Sequence, residues 1–400
     1  MKLQHLVKTT AAALLLSAGV AHADVKFGSL YPFSGELALL GEESARGLEI
    51  AVDEINKAGG IQGEKVVLVR GDAVDNNQAI GEARRLISLE KVVGIFGSYS
   101  SARAIAASQV TELSGIPYFE LGAVADEVTG RGLKYLFRTN PYAENFGKTI
   151  IDMVTDKIAP SLGKKPEELR IGIIYEDSSY GTSVSKHETD YAKKKGLNIV
   201  VSSGYPSATV DMSSLVLQLK QANVDVVLQT SYQNDSILFL KQANEAGFKP
   251  AAIIGGGGGY SMQPTADAVG HGIIDGVLDA DFTQYLINTK ATPGLDAFVA
   301  AYKAKYGSAP RSGHSLANYV GAKALLEAIG KAKGFKPDTI VEAVKAIDIP
   351  DGATATGFGI KFGKDNQNER AKLMGMQWQD GKLVTVYPDA AAVSPIRHGK

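Results

Sequence analysis

Cysteine is absent from all 400 residues. Disulfides, thiolate nucleophiles and thiolate metal sites are thereby excluded, and any core has to hold by packing alone. Charge of one sign is also lacking: 42 lysines and arginines against 43 aspartates and glutamates leave a net charge of −1. No basic block occurs, so neither nucleic acid nor an anionic membrane surface is an expected partner. No apolar run approaches the ~20 residues needed to span a bilayer.

What is present begins with the leader. Lys2 and Lys8 form a basic head, TTAAALLLSAGV is a short apolar run, and Ala21-His22-Ala23 is an Ala-x-Ala end. Together these form a secretory signal peptide over residues 1–23, with cleavage expected after Ala23 and the mature chain expected to be exported. Four histidines follow it, none at metal-ligand spacing, so no metal is expected. An apolar content of 44% with 21% charged residues is that of a globular protein. The length allows two domains with separate cores.

From Val25 onward short β-rich runs alternate with longer amphipathic ones. Val25 to Leu30, Lys65 to Val69, Val92 to Phe96 and Ile116 to Phe119 read as strands. Gly41 to Ala58, Gln78 to Leu89 and Ser101 to Ser114 read as the helices between them. The rhythm restarts after Asn140-Pro141, with Arg170 to Tyr175, Leu197 to Val201, Asp225 to Gln229 and Ala251 to Ile254 as strands. Two successive βα series predict two doubly wound α/β lobes.

The five glycines Gly255 to Gly259 are the first candidate for chemistry. A dinucleotide loop needs G-x-G-x-x-G, but the closing positions hold Tyr260 or Ser261, so a flexible loop is the plainer expectation. Other enzyme signatures fail in the same way. Gly147-Lys148-Thr149 has Tyr142 where a phosphate loop needs glycine, and His187-Glu188 has Tyr191 where a zinc pair needs histidine. Gly181 to Ser185 nearly forms a nucleophile elbow but ends in serine. No enzymatic constellation survives, and no cofactor is expected.

The loop GSYSSAR, Gly97 to Arg103, is different. It joins a buried strand to a helix, so its hydroxyls and N–H groups stand at a helix N-terminus. Such a site can hold a small carboxylate. Alternatively, Ser100 or Ser101 merely caps the helix.

These pieces together resemble a known family, the periplasmic substrate-binding proteins of branched-chain amino acid transporters (the leucine/isoleucine/valine-binding type). The segments that carry the resemblance are KFGSLYPFSGELALLGEESARGLEIAVDEINKAGGIQGEKVVLV, DNNQAIGEARRLI, VVGIFGSYSSARAIAASQVTELSGIPYF, LKYLFRTNP, RIGIIYEDSSYG and FLKQANEAGF. It implies an α/β fold of two parallel-sheet lobes joined by a three-strand hinge, the type I periplasmic binding fold. Lobe I would take residues 24–139 plus 283–373, and lobe II 141–279 plus 376–400. It also implies a monomer that closes on a small molecule and delivers it to an inner-membrane ABC permease, with no chemistry of its own.

Residue by residue, the resemblance puts Ser101 with Ser100 at the ligand carboxylate and Tyr99 beside the ligand side chain. Gly122 and Ala123 fall at backbone positions holding the same ligand end, and Tyr180 and Tyr232 form an aromatic wall in lobe II. Three positions depart from the pattern. Val124 replaces a threonine that touches the ligand ammonium, Leu40 replaces an aromatic, and the acid that accepts the ammonium would fall near Gly257. Glu120, Asp126, Asp177, Asp279 and Asp281 are the acids close enough in sequence to cleft loops to substitute for it. If none does, the expected ligand shifts from an amino acid to an aromatic or aliphatic acid or an amide. A periplasmic co-receptor that senses such a ligand is the alternative role.

Overall fold

The computed structural model describes residues 24–397; the expected leader lies outside the described residues. The first sheet holds β1 (Val25–Tyr31), β2 (Val66–Asp72), β3 (Ile95–Gly97), β4 (Tyr118–Glu120) and β5 (Leu136–Arg138). All pair in parallel, in the order β2-β1-β3-β4-β5. They are connected through α1 (Ala38–Lys57), α2 (Asn76–Ser88), α3 (Ser101–Leu113) and the short α4 (Glu127–Gly130). The period of two along each strand explains why both faces are covered. Phe27, Phe96 and Phe119 pack with α1, while Leu30, Ile95 and Tyr118 pack under α2 and α3.

Past β5 the chain forms α5 (Ala143–Met153), which runs through a π-helical turn into α6 (Ala159–Ser161). Then come β6 (Arg170–Glu176), α7 (Ser179–Lys194), β7 (Asn198–Tyr205), α8 (Ser213–Gln221) and β8 (Val226–Thr230). They are followed by α9 (Gln233–Glu245), β9 (Ala252–Gly256), α10 (Gln263–Val269), α11 (His271–Ile274) and β10 (Leu278–Asp281). Ile171, Ile173, Val226 and Leu228 face α5 and α7; Ile174 and Val227 face α8 and α9.

The chain then returns to the first sheet with α12 (Leu295–Tyr306), α13 (Gly313–Gly330), α14 (Pro337–Lys345) and the pair β11 (Asp348–Ile349) and β12 (Ile360–Lys361). It ends with β13 (Met374–Gln379) and β14 (Lys382–Tyr387), which complete a second sheet in the order β14-β13-β10-β9-β8-β6-β7. The fold is thus the expected α/β type, with one difference. β10, β13 and β14 pair antiparallel, so the second sheet is mixed at one edge.

Three chain segments pass between the sheets: one after β5, one after β10 and one before β13. Side-chain amides lace two of them together. Asn368 donates to Thr139 O at 2.9 Å, and Gln367 donates to Asn140 O at 3.0 Å. In the third, the Thr283 hydroxyl donates to Thr356 O at 2.7 Å.

Candidate functional site

The C-terminal ends of the parallel strands in both sheets face one small cavity. All the positions nominated from sequence line it: Tyr99, Ser100, Ser101, Gly122, Ala123, Val124, Tyr180, Tyr232 and Gly257. Phe146, Gly258, Asp281, Phe282 and His314 complete the wall. Of these, the sequence points only to Asp281, as a candidate acid, and to Gly258, as part of the glycine run.

The first sheet contributes a loop held in a costly conformation. Tyr99 and Ser100 have φ of 48° and 79°, a left-handed region that non-glycine residues seldom occupy. The arrangement that holds them centres on Glu120 at the end of β4. Its buried carboxylate accepts the N–H groups of Ser98 (2.7 Å), Leu121 (3.1 Å), Gly122 (2.8 Å) and Ala123 (2.7 Å). Burial still raises its pKa to about 7, against those donors and the nearby Arg138 charge. From the other side, Arg138 donates to the carbonyls of Ala123 (3.2 Å) and Ala125 (2.7 Å). The 121–125 turn is therefore fixed through both its donors and its acceptors before any ligand arrives.

This corrects one expectation about Gly122 and Ala123. They line the cavity, but their N–H groups point into Glu120 and are not free to hold a carboxylate. The free donor is Ser101. Its Oγ accepts the N–H of Val124 at 3.3 Å and of Ala125 at 3.0 Å, which leaves its own proton to donate. No side chain caps α3, so the simple capping reading of Ser100 or Ser101 does not hold. The first bond into that helix is Ala104 N–H to Ser100 O, which leaves the N–H groups of the first turn outside the helical ladder.

The glycine run is not a loop throughout its length, and all five of its residues are buried. Gly255 and Gly256 lie in β9, and neighbours occupy the space that side chains would need. Gly257 has φ +100°, and a Cβ there would come within 2.3 Å of the Tyr180 hydroxyl. A Cβ on Gly258 would stand 2.9 Å from the Tyr99 hydroxyl, 3.1 Å from His314 Nε2 and 3.2 Å from Leu40 Cδ2. The Tyr180 hydroxyl donates to Gly256 O, and Tyr180 packs on Tyr232 with ring centroids 5.2 Å apart. Burial pushes the phenols of Tyr99 and Tyr180 well above their usual pKa, so both act as neutral hydroxyls.

An acid at position 257 would have no room, but one stands on the next strand. The register pairs Ala280 with Gly256, which sets Asp281 beside Gly257. Asp281 Oδ2 accepts the Ser261 hydroxyl at 2.6 Å and lies 3.4 Å from His314 Nε2. Asp281 Oδ1 has no partner among the described residues, and neither ring nitrogen of His314 makes a hydrogen bond there. Two residues back, Asp279 is held well above the usual carboxylate range by burial and then by the Asp281 charge. Both causes favour the neutral form of Asp279.

The other candidate acids are placed elsewhere. Glu120 is occupied beneath its loop, Asp126 Oδ2 meets His187 Nε2 at 2.6 Å, and neither Asp177 nor Asp279 reaches the cavity wall.

A cavity built by two α/β sheets, with a hydroxyl donor on one side and a buried acid on the other, fits a binding protein. Residues 24–382 match the family model described as Periplasmic binding protein. The chain belongs to that family. It is 72% identical over 403 residues, the full length of both chains, to "Leu/Ile/Val-binding protein homolog 8" of Brucella abortus (strain 2308). It is 68% identical over 394 residues to "Leu/Ile/Val-binding protein homolog 7" of Brucella suis, covering 98% of this chain and 99% of the relative.

Solved structures share the fold at lower identity. The branched-chain amino acid transporter substrate-binding protein LivJ of Streptococcus pneumoniae, in complex with isoleucine, has a TM-score of 0.78 at 24% identity. That comparison covers 94% of this chain and 100% of LivJ. A solute-binding protein of Rhodopseudomonas palustris in complex with 3,4-dihydroxybenzoic acid has a TM-score of 0.76 at 20% identity, covering 90% and 95%.

Proposed function

We propose that the protein is the periplasmic substrate-binding component of an ABC import system of the branched-chain amino acid type. Its lobes, residues 24–139 plus 283–373 and residues 141–279 plus 376–400, close on an α-amino acid and present it to a permease as a monomer, without chemical change. One observation carries the choice of an amino acid over a simple acid: the unpartnered Asp281 Oδ1 in the cavity wall. A buried carboxylate oxygen lacking a donor is costly, and a ligand ammonium supplies that donor. Ser101 and the first turn of α3 supply donors for the ligand carboxylate. On this reading Asp281 replaces the acid that the sequence lacks near Gly257.

A second reading is favoured by the three tyrosines and by Val124. A hydroxylated aromatic acid would stack on Tyr180 and Tyr232 and donate a phenol to Asp281. The test is calorimetric titration of the refolded, ligand-free chain with leucine, isoleucine, 4-methylpentanoate and 3,4-dihydroxybenzoate. Tight binding of leucine or isoleucine with at least ten-fold weaker 4-methylpentanoate is the expected result. Preference for either des-amino acid would overturn the amino-acid reading.

A further inference from the structure

Outside the cavity lies a second hollow of about 790 Å³, which shares the residues Ser100 and Tyr232 with it. This is the mouth of the site, and four helices of 13 to 16 residues start on its rim: α2, α3, α7 and α9. Each presents the positive end of its dipole. Set among them is a cation, Arg103, in the first turn of α3 and only 8% exposed. Its Nε donates to Val74 O at 3.1 Å, and one Nη donates to the same carbonyl.

Among the described residues no carboxylate forms an ion pair with Arg103. Two acids line the mouth: Glu36, which faces it from the loop before α1, and Asp75, whose Oδ1 already accepts Gln78 N–H at 2.8 Å. A buried guanidinium at the wrong end of a helix dipole, without a counter-ion, is unfavourable twice over. An oxyanion arriving from outside would relieve both costs. It would meet the remaining Nη of Arg103 and the N–H groups at the start of α3, since Asp75, Ser178 and Glu176 already accept N–H groups at the starts of α2 and α7.

We propose that the mouth is an oxyanion subsite in which Arg103 holds a carboxylate just outside the ligand cavity. The carboxylate comes either from a second acidic group on a ligand that extends past Ser100 and Tyr232, or from a free small carboxylate. The inference does not rest on the amino-acid reading, because its probes carry no ammonium.

The experiment uses the mature chain with acetate and glutarate at fixed ionic strength, followed by calorimetry and thermal midpoint. Wild type, Arg103→Gln, Arg103→Lys and Ser101→Ala are compared. Arg103→Gln should weaken one or both anions by at least ten-fold and Arg103→Lys should retain part of the affinity; anion binding that falls with Ser101→Ala but not with Arg103→Gln belongs to the ligand cavity and overturns the proposal. Glutarate bound at least ten-fold tighter than acetate, and displaced by leucine, assigns the carboxylate to an extended ligand. Acetate that binds alongside leucine assigns it to a free anion. Equal binding of both anions by wild type and Arg103→Gln overturns the proposal and leaves Arg103 as a tie to Val74. Leucine that fails to bind anywhere would sink the amino-acid reading and leave the Arg103 comparison intact.

Discussion

Glu188 on α7 is fully buried, and neither of its carboxylate oxygens has a partner among the described residues. It sits where α7 packs on α5, so close that a Cβ on Gly147 would come within 2.7 Å of the Glu188 nitrogen. Burial alone pushes its pKa from 4.5 up to about 8. The folded state therefore holds a proton that the unfolded state releases above pH 4.5. The stability this proton confers is fully present below pH 4.5 and declines as pH rises. It is lost once pH passes about 8. A separation of about 3.5 units at 1.36 kcal/mol each gives an upper bound of about 5 kcal/mol. That is a large part of the 5–15 kcal/mol typical of a folded domain.

Glu188→Gln keeps the shape and removes the titration. Denaturant unfolding of both proteins from pH 4.5 to 9 should show wild type losing ground to the variant steadily, with the gap approaching about 5 kcal/mol above pH 8. Glu120 and Asp235, each raised to about 7 by burial, titrate in both proteins and cancel in the difference. Parallel pH curves for the two proteins would refute the reasoning, since they would mean that Glu188 finds a partner or water when charged.

Two further predictions concern the site. Ser101→Ala removes the donor proposed for the ligand carboxylate, a charge-assisted bond worth about 1.5–3 kcal/mol, so titration should show affinity falling about 10- to 150-fold. Unchanged affinity would mean that the hydroxyl serves only the Val124 and Ala125 N–H groups. Asp281→Asn should weaken leucine far more than 4-methylpentanoate, and equal losses for both ligands would show that Asp281 acts through packing rather than through the ammonium.

The two-lobe architecture was legible because buried parallel strands and covering helices leave distinct periods in the sequence. Legibility failed where that contrast vanishes. In α13, 15 of 18 residues are buried, so no polar stripe marks it as a helix and its His314 carried no signal of function. Glu120 was noticed only as a possible ligand acid. Nothing in YFELGAV announces that its carboxylate would turn inward and organise the loop after it. The nominated cavity positions came from the family pattern and the loop chemistry. Their shared location depends on three crossings that no local period encodes.

On the proposed reading Asp281 is a relocated acid, and the site changes its sequence while keeping its chemistry. At Gly257 the positive φ and the Tyr180 hydroxyl exclude any side chain, while the Tyr99 hydroxyl, His314 and Leu40 crowd Gly258. The glycines thus let three tyrosines from two sheets converge on the cavity. β10 runs parallel to β9, so its end reaches the same level, and alternation sends Asp279 and Asp281 to one face. Asp279 accepts the Gly257 N–H at 3.3 Å and does not line the cavity, which leaves Asp281 as the acid toward it. The missing carboxylate at Gly257 is therefore weak evidence against an ammonium ligand. Its replacement lies one strand across, 24 residues along the chain.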